Sequence, residues 1–470
     1  VCACSETQER YGLAVPRRLT ARVLKIYNED FALPDVYDGA CACRIGEVTA
    51  ERRYVLRRGD EVLADAPIDT ITEGIRYDRP AAAPPREEIP ADRRLTEAAP
   101  AAIADEWFAL MAHPNVASRE YLFRHYDPEV QAGTILRPGE ADAGVVAPVQ
   151  GSPRAVAMTC DGNPLLGLAD PWAAGAWAVV EACRNLVCVG AEPAAVTDCL
   201  NFGNPEEPDA MWAFAEGVRG VGDACQALGR LSAPGEPLPV VSGNVSFYNQ
   251  SASGRSVAPS PIVAAVGVVD DYRRSRSQRL KAAGDRIYLV GRPARETGGS
   301  LYLDAGFQAG RPAVPELDFA AVRAELGAVL SLVRAGVANA VHDISDGGLA
   351  VALAEMAVGL EGQQRLGAAL TLPPELDHLT PREVLFGEAG GFLLTCPEAS
   401  AGEVEKLLSF GGAAWWPLGE VTADGRLTVS SHGAQPVSVS VDELAAAWQI
   451  ALPRLFGAEA AVAGSPAPST

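Results

Sequence analysis

The stretch Val240-Val241-Ser242-Gly243-Asn244-Val245-Ser246-Phe247-Tyr248-Asn249 concentrates chemistry in a few positions. An apolar run ends at Val241. A glycine, an amide oxygen and a hydroxyl then follow within four residues. Glycine lets backbone approach a phosphate closely, and successive N–H groups in a turn make an anion cradle. The side-chain oxygen of Asn244 is a hard ligand of the kind Mg²⁺ accepts beside phosphates. The same letters also fit a strand followed by an ordinary polar turn.

A second segment bears on that choice. Ala194 to Leu200 reads as a strand, Glu207 to Leu228 as a helix and Leu238 to Val241 as a strand. Asn204 stands where a cap for this helix is expected, and Glu206, Glu207 and Asp209 load its first turn as the helix dipole favours. A βαβ unit makes its two strands parallel, and ligands of open α/β sheets bind outside the carboxyl ends of such strands. Asp198 at the end of one strand and Gly243-Asn244 after the other are therefore expected to converge. Asp198 then either holds a nucleotide or Mg²⁺, or caps a turn. His342-Asp343-Ile344-Ser345-Asp346-Gly347-Gly348 is a further strand–turn–helix junction, either an anion or metal cradle or a corner with a good cap. His113, His125 and His342 are isolated in sequence and read as structural.

These residues need a frame. Ala176 to Val189 predicts a helix with Ala176, Val179, Val180, Cys183, Leu186 and Val187 as its apolar stripe and Glu181, Arg184 and Asn185 opposite. Strands are expected at 145–148, 155–159, 261–268, 287–291, 338–341 and 391–396, and helices at 102–112, 319–333, 349–358, 398–408 and 442–452. Gly419-Glu420-Val421-Thr422-Ala423, then Arg426 to Val429 and Val437 to Val441, repeats the order of Gly46-Glu47-Val48-Thr49-Ala50, Arg53 to Leu56 and Glu61 to Pro67. Ser5-Glu6-Thr7-Gln8 likewise stands where Gly387-Glu388-Ala389-Gly390 stands in the later copy. This internal repeat makes residues 1–80 the remnant of a preceding unit. A proline-rich linker is expected at 81–101, α/β domains at 102–285 and 286–455, and a disordered tail at 456–470. The chain is expected to be a fragment of a two-repeat protein, or a natural half with a vestigial extension.

The bulk numbers exclude some partners. A net charge of −21 on 470 residues argues against nucleic acid and against an anionic membrane surface. No apolar run is long enough to span a bilayer, which predicts a cytoplasmic protein. Ten cysteines sit in a core-forming chain. Cys183, Cys188, Cys199 and Cys396 read as small buried hydrophobes. Cys2/Cys4 and Cys41/Cys43 are spaced too tightly for the usual zinc sites, and alternation along strands is the better reading.

The strings Ser5-Glu6-Thr7-Gln8-Glu9-Arg10, Glu181 to Pro193, Thr197 to Pro205, Ser242 to Asn249 and His342 to Leu349 resemble the synthetase subunit of the phosphoribosylformylglycinamidine synthase (formylglycinamide ribonucleotide amidotransferase) family, up to about residue 455. The resemblance implies an α/β (α+β) fold of the aminoimidazole ribonucleotide synthetase kind in tandem repeats, with the active site between the halves. It implies ATP- and Mg²⁺-dependent conversion of formylglycinamide ribonucleotide to its amidine in purine biosynthesis, with ammonia from a separate glutaminase subunit. By matching position, Glu6, Thr7, Gln8 and Ser246 would contact the substrate, Asp198 and Gly243 ATP, and Asn244 Mg²⁺.

Departures from the family pattern limit this. The catalytic histidines, ATP-binding lysine and acidic Mg²⁺ ligands belong to the other repeat, so no catalytic residue is assigned and the chain alone is expected to be inactive. Thr159-Cys160-Asp161-Gly162-Asn163 differs from the usual string. Glu388-Ala389-Gly390 lacks the glutamine found at Gln8, which predicts a degenerate second site. The competing reading is a non-catalytic half that binds nucleotide or a partner subunit. A repeat without its companion is expected to expose an apolar sheet face and to form homodimers.

Overall fold

The structure is a computed structural model that describes residues 10–74, 76–85, 95, 98–308, 310, 312–359 and 365–457. Glu6, Thr7, Gln8, Cys2 and Cys4 lie outside the described residues, as do most of the expected linker and the tail beyond residue 457. The chain divides into two compact units, Val1–Asp78 and Arg79–Thr470.

In the first unit, β1 (Arg53–Arg58) pairs antiparallel with β2 (Glu61–Pro67), and a short helix Ile68–Thr72 follows. Strand, strand, helix is also the order that closes the second unit, so the repeat read from the letters has a structural counterpart. Gly46-Glu47-Val48-Thr49-Ala50 forms no strand, unlike its later copy. The later copy lies between two partner strands, and the first unit supplies no such neighbours among its described residues. The same segment holds Cys41 and Cys43. Both are free and exposed, not alternating on strands as expected. The Asn28 side chain ties the backbone there instead, bonding Ala42 N and O at 2.8 Å each.

The second unit contains two sheets. The first is ordered β3 (Thr134–Leu136), β4 (Gly144–Val146), β5 (Ala155–Asp161), β8 (Ser260–Val269), β6 (Ala191–Asn201), β7 (Val240–Ser246), and only β6 and β7 run parallel. The second is ordered β10 (Ala340–Asp343), β12 (Phe392–Cys396), β9 (Arg286–Val290), β13 (Trp415–Thr422), β11 (Gly367–Thr371), β14 (Arg426–Ser430), β15 (Val437–Ser440).

Helices are laid on these sheets. They are α1 (Pro100–Met111), α2 (Pro171–Cys188), α3 (Pro208–Leu228), α4 (Phe319–Ala335), α5 (Gly348–Val358), α6 (Ala401–Gly411) and α7 (Val441–Leu455). Trp107, Leu110 and Met111 of α1 are buried, and they join Leu349, Leu353 and Leu444 over the second sheet.

Helix α2 organises the unit. It starts five residues earlier than its apolar stripe predicts, because the Asp170 side chain accepts Ala173 N and Pro171 takes the first helical position. Its apolar side chains pack with Ala155, Ala157 and Val263 of the first sheet and with Val329 and Val333 of α4 in one continuous core. Small residues make close approach to α3 feasible: a Cβ on Gly175 would sit 2.2 Å from the Gly217 carbonyl oxygen. With neighbours all round, α2 has no solvent face. Arg184 and Asn185 are buried, and the polar stripe expected to face water is turned into an internal cleft.

Candidate functional site

The predicted βαβ unit is present, and the register pairs Asp198 with Gly243 and Cys199 with Asn244. The turn is not where the letters place it. Gly243, Asn244, Val245 and Ser246 continue β7, because β6 runs on to Asn201 and offers a ladder partner to each. β7 is the edge strand, so alternate backbone groups of this stretch pair with β6 while the others point outward from a straight edge and form no turn-shaped cradle. Asp198 correspondingly lies three residues before the end of β6. The turn comes at Phe247 to Asn249. There Asn249 Nδ2 donates to Phe202 O at 3.1 Å and Ser246 O at 2.8 Å, and Tyr248 adopts φ +58°. Asn204 does not cap α3. Its Oδ1 accepts Glu206 N at 2.9 Å, closing a turn before the helix starts at Pro208.

Strand pleating corrects the expected convergence of side chains. Residues paired across two strands share a face, and successive residues alternate. Asp198 and Gly243 share one face, where a Cβ on Gly243 would meet Asp198 Oδ1 at 2.5 Å. Asn244 points to the opposite face, its Nδ2 3.9 Å from Cys199 Sγ. Ser246 Oγ donates to Asn249 Oδ1 at 3.2 Å. Burial lifts the Asp198 carboxyl above its ordinary range, against the steadying of the Asn244 backbone N–H. The face bearing Asn244 is open and apolar: Met158 is 55% exposed and Val268 38%, with Ile262, Ala264 and Val266 half-buried between them.

The densest chemistry lies elsewhere, in the cleft walled by α2. Asp161 ends β5, Asp343 ends β10, and Glu181, Arg184 and Asn185 lie along α2. Asn185 Nδ2 donates to Asp161 and, at 3.3 Å, to Thr159 Oγ1. His342 is buried and far from alone. Its Nδ1 lies 2.6 Å from Asp142 Oδ1 and its Nε2 3.1 Å from Glu355 Oε2. Glu388 accepts Gly347 N at 2.7 Å and Leu301 N at 2.9 Å, pinning the loop that carries Asp346. Arg184 Nη2 faces Glu325 at 3.5 Å. The cavity between Glu181, Arg184, Thr297, Asp346 and Glu388 measures about 30 Å³. That is room for a water or an ion.

So many buried carboxylates cannot all be charged. Burial, and then the neighbouring acids, push Glu181 and Asp343 well up. Burial takes Asp161 to about 7, with Asp346 adding to the rise and the Glu181 and Asn185 hydrogen bonds opposing it. Burial takes Asp346 to about 6, with Glu355 adding. Burial disfavours charge on His342, but Asp142 and Glu355 outweigh it and hold the imidazolium. Asp142 Oδ2 and Asp343 Oδ2 are buried without a hydrogen-bond partner, and Asp142 and Asp343 offer carboxylate oxygens within 4.8 Å of each other, with both His342 nitrogens taken up by carboxylates. Orphaned hard oxygens on neighbouring acids fit a divalent cation; the water-sized cavity is a separate space, lined by Glu181, Asp346 and Glu388.

The reading from letters reached only the His342–Gly348 part of this cluster. Two signals point to the rest. Asp161 and Asp343 each end a strand, and Glu181 and Asn185 stand one helical turn apart on one stripe.

The family model "AIR synthase related protein, N-terminal domain" matches residues 140–269, and "AIR synthase related protein, C-terminal domain" matches residues 282–432. The phosphoribosylformylglycinamidine synthase subunit PurL of Methanothrix thermoacetophila is 39% identical over 452 residues, covering 96% of this chain and 57% of that protein. The subunit PurL of Anaeromyxobacter dehalogenans is 41% identical over 442 residues, covering 90% and 55%. The chain thus spans little more than half the length of these relatives. Among solved structures, T. maritima PurL complexed with FGAR is similar with a TM-score of 0.57 and 18% identity, covering 72% of this chain and 52% of that one, a likeness of fold.

Proposed function

Because the chain belongs to the AIR synthase-related family and carries both of its domains, we propose that it serves ATP-dependent amidation of formylglycinamide ribonucleotide, with ammonia delivered from glutamine by a separate subunit. What carries this reading is the likeness to synthase subunits over nearly the whole chain. A cytoplasmic setting belongs to the same proposal, alongside the finding that no helix among the described residues is long and apolar enough to cross a membrane.

The roles divide by face. Asp198 and the close-approach position Gly243 serve ATP on one face of the sheet edge. Asn244 and Ser246 serve Mg²⁺ and substrate on the other, with Glu6, Thr7 and Gln8 as further substrate contacts. The Asn244 side chain meets Cys199 Sγ, and no hydrogen bond links that side chain to a carboxylate among the described residues. An acidic partner from another element completes that metal site, and the chain alone does not turn over. A second copy, meeting the open apolar sheet face with its own, is the proposed homodimer.

The acidic cleft takes a separate Mg²⁺, held by Asp343 and Asp142 with Asp161 and Glu181 adjoining. A bound cation would neutralise the charge of these carboxylates and of any phosphate beside them. Arg184, Asn185 and Glu388 hold the walls, and the His342 imidazolium offsets the charge of Asp142 and Glu355. The cavity of about 30 Å³ lined by Glu181, Asp346 and Glu388 has room for a water or an ion and not for a whole nucleotide.

The test is formylglycinamidine ribonucleotide formation from ammonia, ATP and Mg²⁺, by the chain alone and mixed with the N-terminal portion of the Methanothrix relative. Turnover only in the mixture is expected. Turnover by the chain alone would overturn the division of roles.

A further inference from the structure

A second cleft shares only Glu355 with the site described so far. It encloses about 270 Å³ where β3, the segment joining the two sheets, α5 and α7 meet. Its walls carry Glu140 and Glu355 as carboxylates, Arg279 and Lys281 as cations, Ser277, and the indole of Trp448.

The connecting segment is stitched down through alternate residues. Gln278 N donates to Glu140 O at 3.1 Å and Leu280 N to Met356 O at 2.9 Å. Ser277, Arg279 and Lys281, the residues between, line the cleft. Trp448 Nε1 donates to Val116 O at 2.8 Å, which fixes the indole as a wall. Lys281 Nζ donates to Ser277 Oγ. Arg279 makes no hydrogen bond or ion pair among the described residues, although every neighbouring basic residue of the segment 273–276 is engaged with an acid or a carbonyl. An unengaged guanidinium on a cleft wall, in a chain with a net charge of −21, is a group kept for a ligand.

The lining also limits what enters. A plain anion meets Glu140 and Glu355, and a plain cation meets Arg279 and Lys281. A ligand with both charges, held apart, pairs with both walls. A volume just below the usual 300–1,000 Å³ range for bound small molecules suits a compact metabolite. We propose that this cleft binds a small zwitterion of the α-amino-acid class, its carboxylate on Arg279 and Lys281, its ammonium on Glu140 and Glu355, and its side chain beside Trp448.

The experiment screens the proteinogenic amino acids one by one against the purified full chain, by thermal shift at millimolar concentration, then titrates the best by calorimetry. Saturable binding of at least one is expected. Its N-acetyl and carboxamide derivatives, each lacking one charge, should bind at least about tenfold more weakly, and so should the amino acid to Arg279→Gln. Arg279→Gln should melt like the parent without ligand, since Arg279 makes no hydrogen bond. Lys281→Met is the second variant, with the same loss expected. Glu355 is left intact because it also holds His342. No saturable amino acid, equal binding of the blocked derivatives, or undiminished binding to both variants would overturn the proposal.

Discussion

Asp198 pairs with Gly243 across β6 and β7, and the next residue along, Asn244, sends its side chain to the opposite face of the sheet. Gly243 shares the face of Asp198, and the space where its Cβ would stand is taken by the carboxylate. Gly243→Ala should therefore cost about 0.5–1.5 kcal/mol, the cost of turning the Asp198 side chain off its rotamer. Asp198→Ala alone should cost little, because the side chain is part-exposed. In Asp198→Ala/Gly243→Ala the clash is gone, so the two costs should fall short of additivity by at least about 0.5 kcal/mol. Urea unfolding of the four proteins checks this, and strict additivity would sink it.

The acidic cleft predicts a pH dependence with a definite sign. Asp161 at about 7 and Asp346 at about 6 are raised above their unfolded values. The folded state then binds more protons than the unfolded one between pH 4 and 7, and stability from these groups is lost as pH rises through that window. Bound Mg²⁺ opposes the loss by replacing the protons. The rise in melting temperature on adding Mg²⁺ should thus be small at pH 5.5 and largest near pH 8. A Mg²⁺ effect independent of pH would count against a cation in this cleft.

Asp343→Asn removes one charge from the cluster and keeps the shape. Without Mg²⁺ the variant should be more stable than the parent by about 1–2 kcal/mol at pH 8, the usual gain when a functionally strained site is relaxed. With Mg²⁺ the order should reverse, since Asp343 Oδ2 is one of the two orphaned oxygens. Melts of both proteins with and without Mg²⁺ test the crossing, and parallel curves would argue for a purely structural aspartate.

How far these residues were legible in the sequence depends on what each needed. The unbroken apolar run Pro261 to Val268 and the 3.6-residue stripe of α2 are local patterns, and they located β8 and α2 because a central strand and a helix stripe pack on the core. The repeat of Gly419 to Ala423 was equally plain in letters. Strand formation there was not, because it depends on partner strands supplied from elsewhere in the chain. Glu181 and Asn185 looked solvent-facing because a helix period shows which side is apolar but not whether another domain covers the rest. The turn after Val241 was placed five residues early because the length of β7 is set by β6. Asp142 and Glu355 became visible only through His342, to which the fold brings them from 200 and 13 residues away.

The Arg184–Glu325 pair crosses between α2 and α4 with both side chains buried, and Gly390 is shaped to it: a Cβ there would lie 1.5 Å from Arg184 Nη1. Arg184→Met leaves Glu325 buried and unpaired and should cost about 3–5 kcal/mol. Arg184→Met/Glu325→Leu should recover most of that loss, because a volume-matched apolar pair needs no compensating charge. Denaturant midpoints of the three proteins decide it. If the double variant is no better than the single one, Arg184 stabilises mainly through its stacking on Trp177 and Phe392.

The open face of the first sheet predicts self-association. Met158, opposite Val266 in the register, is its most exposed central side chain, with Val156 and Val268 beside it. If this face is covered by a second copy, sedimentation equilibrium should find a dimer that strengthens with mild salting-out, as apolar burial does. Met158→Asp sets like charges against each other across the two-fold contact and should shift the chain to monomer, with little loss of fold because the side chain is already in water. Val241→Asp, on the exposed β7 edge, tests the alternative of edge-to-edge pairing. A parent that stays monomeric at high concentration, or a dimer indifferent to Met158→Asp, would leave the sheet face to another partner.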